Sequence, residues 1–193
     1  MATTTQKLTF QDYLSYVDGA DTPYELVDGE LVPMALGTGR HGAITEFLND
    51  IFRSEINRQG LPWTAKAMMV GVRSPRGRRW DTSRIPDVTV LPQAQWEAMA
   101  NREAVIDRHE PPPLLVVEVV SPSTEVDDYR SKRSEYGLLD IPEYWIVDPG
   151  QERITLCVLD HQFYDSVEFT DHEQLRSPTF PNLRLTQHQI FSR

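Results

Sequence analysis

Leu114-Leu115-Val116-Val117-Glu118-Val119-Val120 is an apolar run broken by one acid, fenced by Pro111-Pro112-Pro113 before it and Ser121-Pro122-Ser123-Thr124 after it. The run does not alternate between apolar and polar, which predicts an inner strand buried on both faces. Proline cannot donate to a ladder, so the three prolines form a rigid lead-in and the strand starts at Leu114. A lone carboxylate inside such a strand is costly unless it is paired. A bound cation, or a lysine reaching in from the following helix, would compensate Glu118.

The flanking sequence builds a frame around that strand. Thr124 to Leu139 has helical spacing, with Val126, Tyr129, Tyr136 and Leu139 on its apolar side. Glu143 to Val147 and Arg153 to Leu159 read as strands joined by an Asp148-Pro149-Gly150 turn, and Phe163 to Phe169 as a possible edge strand. If residues 114–120 and 143–147 share a sheet, their connection is a parallel crossover. Upstream, Thr9 to Val17 is a short helix, and Asp28-Gly29 turns a hairpin between Tyr24 and Val32. His41 to Arg58 is an amphipathic helix that Gly60 ends. Trp63 to Val72 is a strand, Arg73 to Arg84 an arginine-rich loop, Asp87 to Leu91 a short buried strand and Gln93 to Glu103 a weak helix. The tail, Phe180 to Phe191, is a loop with one last helical turn. The class is α/β (α+β mixed), with a central mixed sheet flanked by helices. The 193 residues fit one domain, 1–193.

Bulk properties narrow the function classes. Apolar content of 39% and charged content of 25% suit a folded, water-soluble chain. No apolar run is long enough to span a bilayer, and Met1 to Gln6 has no signal-peptide core, so a cytoplasmic protein without membrane contact is expected. A single cysteine, Cys157, excludes an internal disulfide and a cysteine-based zinc cluster, and its apolar neighbours predict burial. The net charge of −10 argues against a protein dedicated to gripping nucleic acid. The charge is uneven, however. Arg73, Arg76, Arg78, Arg79 and Arg84 face Asp81 alone between residues 73 and 84, either as a local phosphate-binding patch or as a solvated hairpin tip.

Asp87, Glu118 and Lys132 are the residues that could carry chemistry. If their strands are neighbours, Asp87 and Glu118 converge, and two such anions about 4 Å apart repel by about 4 kcal/mol. A shared proton or a hard divalent cation relieves that repulsion. Carboxylate and backbone oxygens with no histidine or thiol nearby suit magnesium or manganese rather than zinc. Such an ion acidifies bound water and polarises a phosphoryl group, and a nearby lysine orients that water or stabilises developing charge. Thr124, Asp128, Lys132 and Tyr136 recur every four residues and share one helical face. The chain uses arginine 16 times and lysine three times, so a lysine here suggests that a compact point charge is wanted.

Taken together, Pro86-Asp87, Pro113 through Thr124, Asp128, Lys132, Tyr136 and Glu143-Tyr144-Trp145-Ile146-Val147-Asp148-Pro149 resemble the Uma-two family of restriction endonucleases, within the PD-(D/E)XK superfamily. Tyr24 through Leu31, His41 and Ser177-Pro178-Thr179-Phe180 extend the resemblance over nearly the whole chain. It implies a restriction-endonuclease-like core, with Asp87 and Glu118 as magnesium or manganese ligands and Lys132 as the catalytic lysine. In much of the superfamily that lysine lies two residues after the acid, where this chain has Val120. His41 matches a family position that could touch the scissile phosphate, and Glu25 and Asp128 are possible supporting residues. The implied activity is metal-dependent hydrolysis of DNA, with the arginine segment on phosphates and a homodimer for duplex cutting. The competing expectation is an inactive nuclease fold that serves as a nucleic-acid-binding or protein-interaction module.

Overall fold

A computed structural model describes residues 7–17, 19 and 23–192. The expectation about Met1 to Gln6 lies outside the described residues. In chain order the elements are α1 (Phe10–Leu14), β1 (Tyr24–Val27), β2 (Glu30–Pro33), α2 (Gly39–Gln59), β3 (Trp63–Ala67), β4 (Gly71–Arg76), β5 (Arg79–Arg84), β6 (Val88–Pro92) and α3 (Gln93–Ala98). They continue with β7 (Val105–Ile106), β8 (Leu115–Val119), a π turn (Asp127–Ser131), α4 (Lys132–Leu138), β9 (Glu143–Asp148), β10 (Arg153–Asp160), β11 (Phe163–Phe169) and α5 (Gln187–Phe191).

The strands form two sheets where the sequence suggested one. The larger has the order β11-β10-β9-β8-β6-β3 and is mixed: β8 and β9 run parallel, and β6 pairs antiparallel with β8. The smaller has the order β2-β1-β5-β4-β7. The single strand expected from Trp63 to Val72 breaks at Met68, whose φ is +52, and the chain there passes from one sheet to the other. Gly71, at the start of β4, lies so close to Val105 that an added Cβ would meet its Cγ2 at 2.8 Å. The arginine-rich segment is likewise not a loop but the β4–β5 hairpin, turning at Gly77 with φ +62.

β8 is buried on both faces because successive side chains alternate across the pleat. Leu115, Val117 and Val119 meet Leu48 and Phe52 of α2, together with Trp145 and Val147 of β9. Val116 and Val120 meet Tyr136, Tyr144 and Ile146 on the opposite side, under α4. Glu118 shares that second face by parity. Thr38 caps α2 through the His41 amide and Gly60 ends the helix with φ +64, which fixes where His41 sits. Val126 was expected to pack inward but is exposed, because the π turn rotates the buried stripe and Asp128 faces in instead. Cys157 is buried, as its neighbours suggested.

The tail closes the α2 side of the large sheet. Phe180 stacks on Phe52 with ring centres 5.3 Å apart. Glu143, fully buried, accepts hydrogen bonds from Trp145 Nε1 at 2.6 Å, the Thr179 amide at 2.8 Å and Ser177 Oγ at 3.0 Å. Two members of the Ser177-Pro178-Thr179-Phe180 segment thus satisfy one buried carboxylate, and a third fills the core.

Candidate active site

Asp87 stands just before β6, and the β6–β8 pairing (Val88 opposite Val117) carries it to the end of β8. Its Oδ2 accepts the Val119 amide at 2.7 Å, while its own carbonyl accepts the Met68 amide at 3.0 Å. The carboxylate is therefore fixed to the residue following Glu118. The strained Met68 turn holds its backbone from the other side.

Glu118 is 3% exposed, and both of its oxygens are engaged from the helix above. Lys132 Nζ donates to Oε2 at 2.7 Å and Tyr136 OH donates to Oε1 at 2.6 Å. Lys132 Nζ also lies 2.9 Å from Asp128 Oδ1. In an ideal α-helix, residues four apart advance about 40° past a full turn, so Asp128, Lys132 and Tyr136 would drift off a single line. The wider π turn takes up part of that drift, with the Lys132 amide bonded to the Asp127 carbonyl five residues back. Tyr144 OH holds the turn in place by donating to the Asp128 carbonyl at 2.8 Å.

The electrostatics follow from burial and crowding. Burial pushes the Glu118 carboxyl well above its usual range, Lys132 opposes this, and Asp128, Asp87 and Glu25 push it further up. Burial also raises Asp128, against the pull of Lys132 and Thr124. Burial alone would lower Lys132, but the charges of Glu118 and Asp128 more than offset it, so the ammonium is retained. Tyr136 is raised by burial and by the Glu118 charge and stays a hydrogen-bond donor. A histidine does stand beside the carboxylates, against expectation, because the N-terminus of α2 packs over the start of β6. His41 Nε2 lies 3.3 Å from Asp87 Oδ2, and this contact raises the imidazole against its burial, with help from the Val119 carbonyl.

The chemistry of this donor set fits a hard divalent cation. Asp87, Glu118 and Asp128 against Lys132 leave a formal charge of −2 among buried side chains before His41 is counted. Asp128 is 1% exposed, and neither of its oxygens receives a well-angled hydrogen bond in spite of the nearby ammonium. Among the described residues no three His, Cys, Asp or Glu side chains form a ready metal cage. Magnesium commonly takes one or two carboxylates and completes its shell with water and phosphate oxygens.

The remaining candidates divide. Glu25 accepts the Ile85 amide at 2.9 Å and Arg84 Nη1 at 3.1 Å, so it braces the chain leading into Asp87. Arg84 does not belong to a surface patch. It is 2% exposed and bonds both oxygens of Glu135 as well as Glu25, which removes it from any phosphate-binding role. Arg73 is also committed, to Asp107 at 2.9 Å, to the Trp80 carbonyl and to the face of Phe10. Arg79 pairs with Asp81. Arg76 and Arg78 are exposed at the hairpin tip. Tyr136 received no site role from the sequence, although it lies four residues after Lys132 and holds the second oxygen of Glu118.

Comparison with known proteins agrees with this frame. Residues 10–188 match the family model Uma2, described as "Putative restriction endonuclease". No protein of curated function matches the chain. Among solved structures the fold is similar to a "putative nuclease belonging to DUF820" from Anabaena variabilis ATCC 29413. The TM-score is 0.77 and the identity 16%, over 96% of this chain and 98% of that one. At that identity the likeness speaks for the fold. Among the described residues no helix is long and apolar enough to cross a membrane.

Proposed function

The chain belongs to the Uma2 family of restriction-endonuclease-like proteins, and from that premise we propose that it is a magnesium- or manganese-dependent endonuclease acting on DNA. The observation that carries this reading is the buried Glu118–Lys132 contact at 2.7 Å, beside an Asp87 carboxylate fixed to the Val119 amide. Asp87, Glu118 and a backbone carbonyl beside Glu118 would hold the cation. When bound, that cation supplies an acidified water and neutralises charge on the phosphoryl group. Lys132 orients the attacking water or stabilises charge building on the phosphoryl oxygens. His41, on the Asp87 side, would contact a phosphate oxygen of the substrate. Tyr136 and Asp128 hold Glu118 and Lys132 in place. Two such sites would cut both strands of a duplex in one encounter, and a homodimer is the working form that supplies them.

The direct test is supercoiled plasmid incubated with magnesium, with manganese and with a chelator, alongside Asp87→Ala prepared identically. Nicking that requires the metal and disappears in the variant supports the proposal. Metal-independent or equal nicking overturns it, and binding without cleavage favours the non-catalytic module that the net charge of −10 also suits. Within this reading, Arg76→Ala with Arg78→Ala is expected to reduce the salt slope of DNA binding by about one per arginine. Titrations at several salt concentrations check this, and an unchanged slope removes the hairpin tip from the interface.

A further inference from the structure

We infer that Asp128 is a positioning residue that sets the charge of the pocket: it shares the Lys132 ammonium with Glu118, so that Asp87 and Glu118 together keep enough negative charge for a divalent cation. The inference rests on the reading of Asp87 and Glu118 as cation ligands. Lys132 Nζ sits 2.7 Å from Glu118 Oε2 and 2.9 Å from Asp128 Oδ1, and all three groups are buried. Without Asp128, the ammonium would neutralise one of the two ligands outright. With Asp128 present, the lysine is already matched by a carboxylate outside the ligand pair.

Asp128 is held on the buried face of the turn. Its place in the π turn is fixed by the bond from Tyr144 OH to its own carbonyl. Its carboxylate is almost fully desolvated, and the charge it faces is the Lys132 ammonium at 2.9 Å, with the Thr124 hydroxyl beside it. The neighbouring residue Asp127, on the same turn, is half-buried and serves as a built-in control.

Charge arithmetic gives three expectations of different sign. Asp128→Asn lowers manganese affinity about tenfold, the scale of a lost supporting contact at a metal site. Lys132→Met tightens manganese binding severalfold even though it removes the proposed catalytic amine. The double variant Asp128→Asn/Lys132→Met returns to within about threefold of wild type, a compensation that a double-mutant cycle isolates. Asp127→Asn leaves the affinity unchanged within about twofold.

The experiment is titration of the whole chain with manganese, read from the electron paramagnetic resonance of the free ion, with thermal unfolding of each variant alongside. Weakening in Asp128→Asn, together with recovery in the double variant, supports the inference. If the double variant binds as weakly as Asp128→Asn, or more weakly, Asp128 is a packing residue and the inference fails while the cation reading stands. Should Lys132 variants fail to fold, Asp128→Asn against Asp127→Asn decides, and equal effects overturn the inference. A wild-type protein that binds no manganese overturns the cation reading and this inference together.

Discussion

Glu118→Gln is expected to reduce metal-dependent strand breakage on the order of 10³-fold or more while the protein still folds. Glutamine keeps the volume of the side chain in a strand where both faces are filled. Its amide oxygen still accepts from Lys132 or Tyr136, the two groups that hold Glu118 now. Lys132 keeps Asp128 as a counter-ion, so the substitution leaves no unpaired buried charge. What disappears is the charge of one of the two proposed cation ligands, Asp87 and Glu118. Alanine is the harsher variant, because it leaves Tyr136 OH and part of the Lys132 ammonium without an acceptor inside the core. Single-turnover cleavage checks the prediction, with circular dichroism as the folding control. Undiminished cleavage by a folded Glu118→Gln protein would remove Glu118 from the mechanism.

Arg84→Ala is expected to destabilise the fold by about 3–5 kcal/mol, the cost of breaking a buried ion pair from one side. The guanidinium bridges three segments. It reaches Glu135 Oε2 at 2.9 Å and Oε1 at 3.1 Å, and Glu25 at 3.1 Å, while Ser74 Oγ adds a weaker contact to Glu135 at 3.3 Å. Its removal leaves two buried carboxylates facing each other across an empty volume. Denaturant unfolding measures the loss, and a shift below about 1 kcal/mol would mean that the network is solvated in solution. Glu135 precedes Tyr136, so a loosened Arg84 also frees the helix that holds Glu118.

The contrast between these residues shows what the sequence makes legible. β8 is readable because a strand buried on both faces loses its alternation, and Glu118 stands out against it. The first hairpin is readable because Asp28 and Gly29 both take positive φ, the turn that Asp-Gly favours. Asp128 and Lys132 are readable as a pair from their spacing of four. Their common target is harder to see, since the π turn that aims them carries no marker residue. Arg84 looks like surface charge in sequence because its partners lie 59 residues before it and 51 after it. The break at Met68 leaves no trace at all: neither glycine nor asparagine occupies the left-handed position, so a strand that changes sheets reads as one continuous strand.

The grip of Ser177 and Thr179 on Glu143 has a consequence for the order of assembly. The carboxylate waits on partners made 34 and 36 residues later. During synthesis, then, β9 leaves the ribosome with Trp145 as the partner of Glu143 within the strand, and with two of the three donors to that carboxylate still to be made. Until the last wrap arrives, the nascent chain keeps that end of the sheet wet, and Phe52 lacks the ring it will stack on. Completion of the core, and of the pocket built on it, is therefore a late event in the life of each molecule.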